Sequence, residues 1–397
     1  MKKYKKRIQR SIYCELILLF LFVCIFSYQK ATGDTVYTAS NSPEDSSGTK
    51  KESADNTADL AGSAGTTDTK TQDAQKDFIK WVDFKASYEA LDAAYHYDVD
   101  TQSEPVHLNW IELLAYTAAK NGGDFPKSAL KDMSALAEKL QNKEITMAEA
   151  TKDMKYYNYY LEAYTAILGG FVGEYDIQQP SESDPSQLEW VKKYGLKAYH
   201  PIAKGFEYSD YDDFGVSRSY GYQRQHLGHD MMGQTGTPII AVESGYVEAL
   251  GWNQYGGWRL GIRSFDQKRY YYYAHLRQNF PYVKTLKEGS IVQAGDVIGY
   301  MGHTGYSTTE NVNNIDTTHL HFGLQLIFDE SQKEGASEIW VDCYSLVRFL
   351  YKNRSETTKD ESTKEWFRIY EIKDPSVQEY ASTHHPNASD STKTTSN

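Results

Sequence analysis

From Pro238 to Leu326 the sequence is a series of short β-type runs: Pro238–Val242, Gly245–Leu250, Trp258–Arg263, Arg269–Ala274, Val297–Met301 and His319–Leu326. Glycine, asparagine and aspartate turns separate them, and the expectation is an all-β unit of catalytic size. In an extended strand the side chains at i and i+2 leave the same face, so His319 and His321 project side by side into one space. Two neighbouring imidazoles point to a metal, although paired histidines also occupy solvated strands.

Upstream, Gln225-His226-Leu227-Gly228-His229-Asp230 precedes the first of these runs. A catalytic zinc site takes three nitrogen or carboxylate ligands and keeps a fourth position open. His226, Asp230 and one histidine of the His319/His321 pair supply that set, and the other histidine is left for proton transfer. Tyr273-Ala274-His275-Leu276 ends another strand and adds one more imidazole. Three ligands beside two uncoordinated imidazoles are the parts that metal-assisted amide hydrolysis requires.

These elements occur together with Gly236-Thr237-Pro238-Ile239-Ile240-Ala241, Gly245-Tyr246-Val247, Tyr255-Gly256-Gly257, Gly295-Asp296-Val297-Ile298-Gly299 and Gly302-His303-Thr304-Gly305. In that order, over residues 220–328, the sequence resembles the lysostaphin-like zinc metalloendopeptidases that cut peptide cross-links in bacterial peptidoglycan. The resemblance implies one zinc ion per chain, held by His226, Asp230 and His321, with His275 and His319 as catalytic histidines. It also implies an oxyanion-stabilising role for Tyr220, although Tyr222 is close by, and an antiparallel β fold whose sheet floors a substrate groove. The implied reaction is hydrolysis of stem peptides or cross-bridges. Members of the family that have lost ligands serve as scaffolds, so a catalytically silent envelope-binding module is the alternative; all five site residues are present here. A third reading takes Val292 to Tyr300 as half of a lipoyl-type carrier domain, but no lysine sits at a suitable turn tip.

The link from Tyr306 to Asp316 is longer than is common in the family. Glu310, Asn311, Asn313 and Asp316 could form a second cation site there, and a polar surface loop is the preferred reading. His229 is read as a bystander or a neighbour of the ligands, and His303 as lining the groove.

The remaining sequence predicts an α+β multidomain chain. Lys2, Lys3, Lys5, Lys6, Arg7 and Arg10 precede an apolar stretch from Leu16 to Tyr28, the order of an export signal. Residues 1–30 are expected to be a signal peptide or, since no small-x-small cleavage site follows, an uncleaved membrane anchor. Leu21-Phe22-Val23-Cys24 matches a lipobox only loosely. Residues 31–76 read as a disordered linker, 77–178 as a helical accessory domain and 179–213 as a connector. Residues 214–330 are the expected metallopeptidase domain, 331–375 a C-terminal extension and 376–397 a disordered tail. In the helical part the tyrosines at 156, 157, 159, 160 and 164 could grip a glycan, with core packing the plainer reading. Cys343 is the only cysteine beyond the apolar stretch, so no intramolecular disulfide can form in the exported part. A formal net charge of -12 argues against nucleic acid as a partner. The expected partners are peptidoglycan, the membrane through the N-terminal segment, and an envelope regulatory protein, all outside the cytoplasm.

Overall fold

The computed structural model describes residues 78–219, 223–335 and 337–384, all within one unit, Ala74–Asn397. The expected membrane segment (1–30), the linker (31–76) and the end of the tail lie outside the described residues. Among the described residues no helix is long and apolar enough to cross a membrane.

Five helices come first: α1 (Tyr88–Asp100), α2 (Trp110–Lys120), α3 (Ala129–Gln141), α4 (Met147–Thr151) and α5 (Tyr157–Leu168). Their starts follow from local chemistry. Ser87 Oγ accepts from the Ala90 amide (3.2 Å), Asn109 Oδ1 from Ile111 and Glu112, and Thr146 with Glu149 forms a capping box. Apolar residues at intervals of three and four bury Leu91 and Ala94, Leu113 and Leu114, and Met133, Leu136 and Leu140. Tyr157, Tyr160 and Tyr164 are buried with them, so most of the tyrosine cluster is core, and Tyr156 alone of the five is largely exposed.

Strands β1 (Val172–Pro180) and β2 (Leu188–Leu196) form an antiparallel hairpin where the sequence predicts the end of the helical segment and a connector. In β1 only Tyr175 and Ile177 alternate with polar residues, and β2 runs Trp190-Val191-Lys192-Lys193 without alternation, so the period-two apolar signal is too short to mark the hairpin.

The strands that carry the site are β3 (Ser209–Asp210), β4 (Ser217–Ser219), β5 (Gln223–Gln225), β6 (His229–Met232), β7 (Pro238–Ile240), β8 (Gly245–Asn253), β9 (Gly257–Ser264), β10 (Arg269–Ala274), β11 (Ile291–Val292), β12 (Val297–Tyr300), β13 (His319–Leu326) and β14 (Ile339–Val341). The principal sheet has the order β11-β8-β9-β10-β13-β6-β3 with β14 also on β13, and every neighbouring pair is antiparallel. One face carries Leu260, Ile262, Tyr271, Tyr273, Phe322 and Leu324, all essentially inaccessible. The other carries Tyr270, Tyr272 and His321 and floors an open groove.

Helices and sheet share one cluster of buried residues. At their junction the fully buried Arg269 bonds Glu243 (2.7 and 3.0 Å), Asp266 (2.8 Å) and the Ala166 carbonyl of α5 (2.8 Å). A buried guanidinium is tolerable only when its donors are matched, as they largely are here.

The chain ends with α6 (Tyr344–Leu350), β15 (Thr357–Lys359), β16 (Trp366–Arg368), β17 (Ile372–Lys373), which pairs with β1, and α7 (Pro375–His384). Helix α7 corrects the expectation of disorder from 376 onward. The Tyr380 ring stacks on Phe265 (4.4 Å) and Tyr246 (5.5 Å), and a single aromatic anchor in polar sequence leaves no periodic signal.

Candidate metal centre and groove

Strands β6 and β13 lie side by side with Asp230 directly opposite His321. The turn before β6 brings His226 back over them. Its Nε2 lies 3.1 Å from Asp230 Oδ1 and 3.1 Å from His321 Nδ1, and His321 Nδ1 lies 2.8 Å from the same Asp230 oxygen. Three potential ligand atoms thus fall within 4.8 Å of one another. Gly228 permits this closeness, since a Cβ there would stand 2.5 Å from the His321 ring. Two imidazole nitrogens and one carboxylate oxygen this close together are the donor set of a catalytic zinc site, in which three protein ligands leave a fourth position for water.

A ring of polar bonds fixes the first two of these groups. Asp213 Oδ1 lies 3.0 Å from His226 Nδ1, and Arg218 donates through Nη1 to Asp230 Oδ2 (2.7 Å) and through Nη2 to Asp213 Oδ2. Burial opposes ionisation of Asp230, but the bonds from His226 and His321 outweigh it and hold its carboxyl far below the usual range. Burial likewise pushes the His321 imidazole below its ordinary value.

His275 and His319 stand beside this group with ring centroids 4.7 Å apart, and His275 is 5.9 Å from His321. Each is oriented by a backbone carbonyl: His275 Nδ1 donates to Thr304 (2.9 Å) and His319 Nδ1 to Thr317 (2.8 Å). Both Nε2 atoms are therefore left for chemistry, and His319 Nε2 lies 3.8 Å from Asp230 Oδ2. Burial, then the neighbouring His319 and His321, keep His275 well below the ordinary imidazole range and hence neutral at neutral pH. Its φ of +61° is one that a non-glycine residue seldom adopts outside functional sites.

All five histidine and aspartate candidates meet at one place, whereas Tyr220 and Tyr222 lie outside the described residues. His229 turns away, buried against Asp210 (3.0 Å) and the Tyr344 ring. His303 donates to the Ile315 carbonyl (2.7 Å), so it anchors the long loop. That loop is a fastened wall: Asn311 Oδ1 accepts from Trp258 Nε1 (2.9 Å) and the Asn279 amide (2.8 Å), and Asn313 Nδ2 donates to Gln278 (3.1 Å). Asn311 and Asn313 are spent on these bonds, which favours the surface-loop reading over a second cation site. Sequence reasoning missed Asp213 and Arg218, which precede the residues carrying the resemblance and show no recognisable motif.

From His321 a groove of about 660 Å³ runs along the sheet between Tyr272, Tyr270 and Trp340. Gly323 keeps its floor low, because a Cβ there would meet the Trp340 ring at 2.6 Å.

Residues 224–333 match the model of peptidase family M23. The L-Ala–D-Glu endopeptidase of Bacillus subtilis is 37% identical over 39% of this chain and 45% of its own length. Lysostaphin of Staphylococcus simulans is 32% identical over 34% of this chain and 22% of its own length. Among solved structures, one assigned as a glycyl-glycine endopeptidase LytM from Ruminococcus gnavus is 24% identical, with 68% of this chain and 89% of that one covered at a TM-score of 0.45. The chain thus spans less than half the length of either curated relative.

Proposed function

Because residues 224–333 form a domain of peptidase family M23, we propose that the chain is a zinc endopeptidase that hydrolyses peptide bonds of bacterial peptidoglycan, in stem peptides or cross-bridges. The observation that carries this reading is the convergence of His226, Asp230 and His321 at the end of an open groove, with two further histidines beside them. The B. subtilis relative is named for cleavage at a D-amino acid, which supports a wall peptide as substrate.

In this reading His226, Asp230 and His321 hold the zinc. When bound, the metal supplies a Lewis acid that polarises the scissile carbonyl and acidifies the attacking water. His319 Nε2 accepts the proton released by that water and returns it to the leaving amine. His275, neutral with its Nδ1 proton held by the Thr304 carbonyl, presents an unprotonated Nε2 that accepts a hydrogen bond from the attacking water and orients it. Asp213 and Arg218 hold two of the ligands in place, and the sheet floor aligns an extended peptide. The enzyme acts outside the cytoplasm, where its substrate lies, and the basic and apolar N-terminal stretch retains it at the membrane.

The test is mass analysis of peptides released from purified peptidoglycan by the zinc-loaded protein. New amino and carboxyl termini within stem peptides or bridges are expected, and unchanged peptidoglycan would sink the proposal.

A further inference from the structure

The groove is electrically polarised along its length. His321, Ala274 and Arg259 form one row across β13, β10 and β9, since His321 pairs with Ala274 and Arg259 lies two residues before Gly261, the partner of Tyr272. Gln325, Tyr270 and Arg263 form a second row, four residues or about 13 Å further along the strands. The acidic residues that line the groove, Glu248, Glu334 and Glu338, belong to this far end. Glu248 is paired with Lys333 and Arg263, and Glu338 accepts from Trp340 Nε1 (2.8 Å).

The cations at the near end are differently placed. Arg259 is half-buried in the groove wall, and its guanidinium has no hydrogen bond, ion pair or ring contact among the described residues. Its main chain is fixed, the Tyr282 hydroxyl donating to its carbonyl (2.5 Å). Arg224 projects from β5 into the same groove, its guanidinium over the Tyr306 ring (5.3 Å) with Nη2 on the Tyr306 hydroxyl, while its Nε is buried and makes no bond. The Arg259 side chain is thus partly buried along the groove wall while its guanidinium nitrogens reach solvent with no protein anion beside them among the described residues, free to pair with one carried by a ligand. Its planar fork matches a carboxylate with two parallel bonds.

We propose that Arg259, with Arg224 beside it, binds a free carboxylate carried by the peptide substrate close to the scissile bond. The site rests on the peptidase reading above and narrows its substrate class to peptides with an acidic residue in that position, which a glycine bridge lacks. Arg259 stands two strand spacings, about 10 Å, from His321, so the carboxylate falls within about three residues of the bond cut.

The experiment measures binding separately from cleavage. The full zinc-loaded chain with His319→Ala is titrated calorimetrically with L-Ala-γ-D-Glu-L-Lys and with the same peptide carrying a carboxamide in place of the glutamyl α-carboxylate. Tighter binding of the carboxylate form by about tenfold or more is expected, the usual return from a charge-assisted pair. Arg259→Gln should abolish that preference and Arg259→Lys should retain part of it, with thermal melts confirming that each variant is folded. Equal affinity for the two peptides, binding of neither, or a preference that survives in folded Arg259→Gln would overturn the proposal. A preference for the carboxylate form in a protein whose unsubstituted version cuts neither peptide would support the arginine site and count against the peptidase reading instead.

Discussion

His226, Asp230 and His321 are tied to one another and to Asp213 and Arg218, whereas His275 and His319, in the same cleft, each hang from a single backbone carbonyl. The first arrangement fixes three atoms relative to each other, as a metal requires. The second fixes ring orientation and leaves Nε2 exposed to whatever lies in the groove, as proton transfer requires. Two sets of imidazoles with similar burial are therefore separated by what holds them, and substitutions should tell them apart.

The largest effect is expected where the mutual bonding is broken at a ligand. His226→Ala or Asp230→Ala should reduce zinc from about one per chain to none, measured by elemental analysis, and abolish cleavage. Full metal retention in both would dissolve the distinction. His275→Ala should keep the metal and lower the cleavage rate by about 100-fold to 10,000-fold, the usual range for a proton-transferring group. A smaller effect tests the supporting ring: Asp213→Asn leaves every proposed ligand in place but removes a carboxylate from His226 Nδ1. Its zinc affinity, read by chelator competition, should fall by about 10-fold to 100-fold. Unchanged affinity would mean that Asp213 merely packs against the site.

The smallest effect concerns stability away from the metal. His200 is fully buried, with Nδ1 accepting from the Ile202 amide (3.0 Å) and Nε2 against the Tyr208 hydroxyl (2.9 Å), and burial lowers its pKa to about 3. The folded state keeps it neutral while the unfolded chain takes up a proton below about pH 6.5. Stability from this group is thus complete above pH 6.5 and declines as the pH falls toward 3, by at most about 1.4 kcal/mol per pH unit. Urea unfolding at stepped pH should show a shallower acid limb in His200→Gln, and an identical slope would rule out this contribution.

The two halves of the site were also unequally legible. The strand from Arg269 to Ala274 follows from its run of tyrosines and that from His319 to Leu326 from period-two patterning, and the His-x-His spacing put both imidazoles on one face without knowledge of the fold. Which histidine would face Asp230 depends on register, and register is set by pairing between β6 and β13, distant in sequence. Asp213 and Arg218 were invisible because their role arises only when a polar segment folds over the ligands. The β1–β2 hairpin escaped notice because its alternation is confined to Tyr175 and Ile177 and is broken in β2 by Trp190-Val191-Lys192-Lys193. Arg259 lay in plain view within a predicted strand, but its lack of a partner is a property of the folded groove.

The separation of the two halves is tested most directly by one preparation of His319→Ala, assayed for zinc content and for peptide release from peptidoglycan. About one zinc per chain with no released peptide is the result this account predicts. Loss of the metal together with activity would place His319 among the ligands, and retained cleavage with retained zinc would show that the proton is moved by another group.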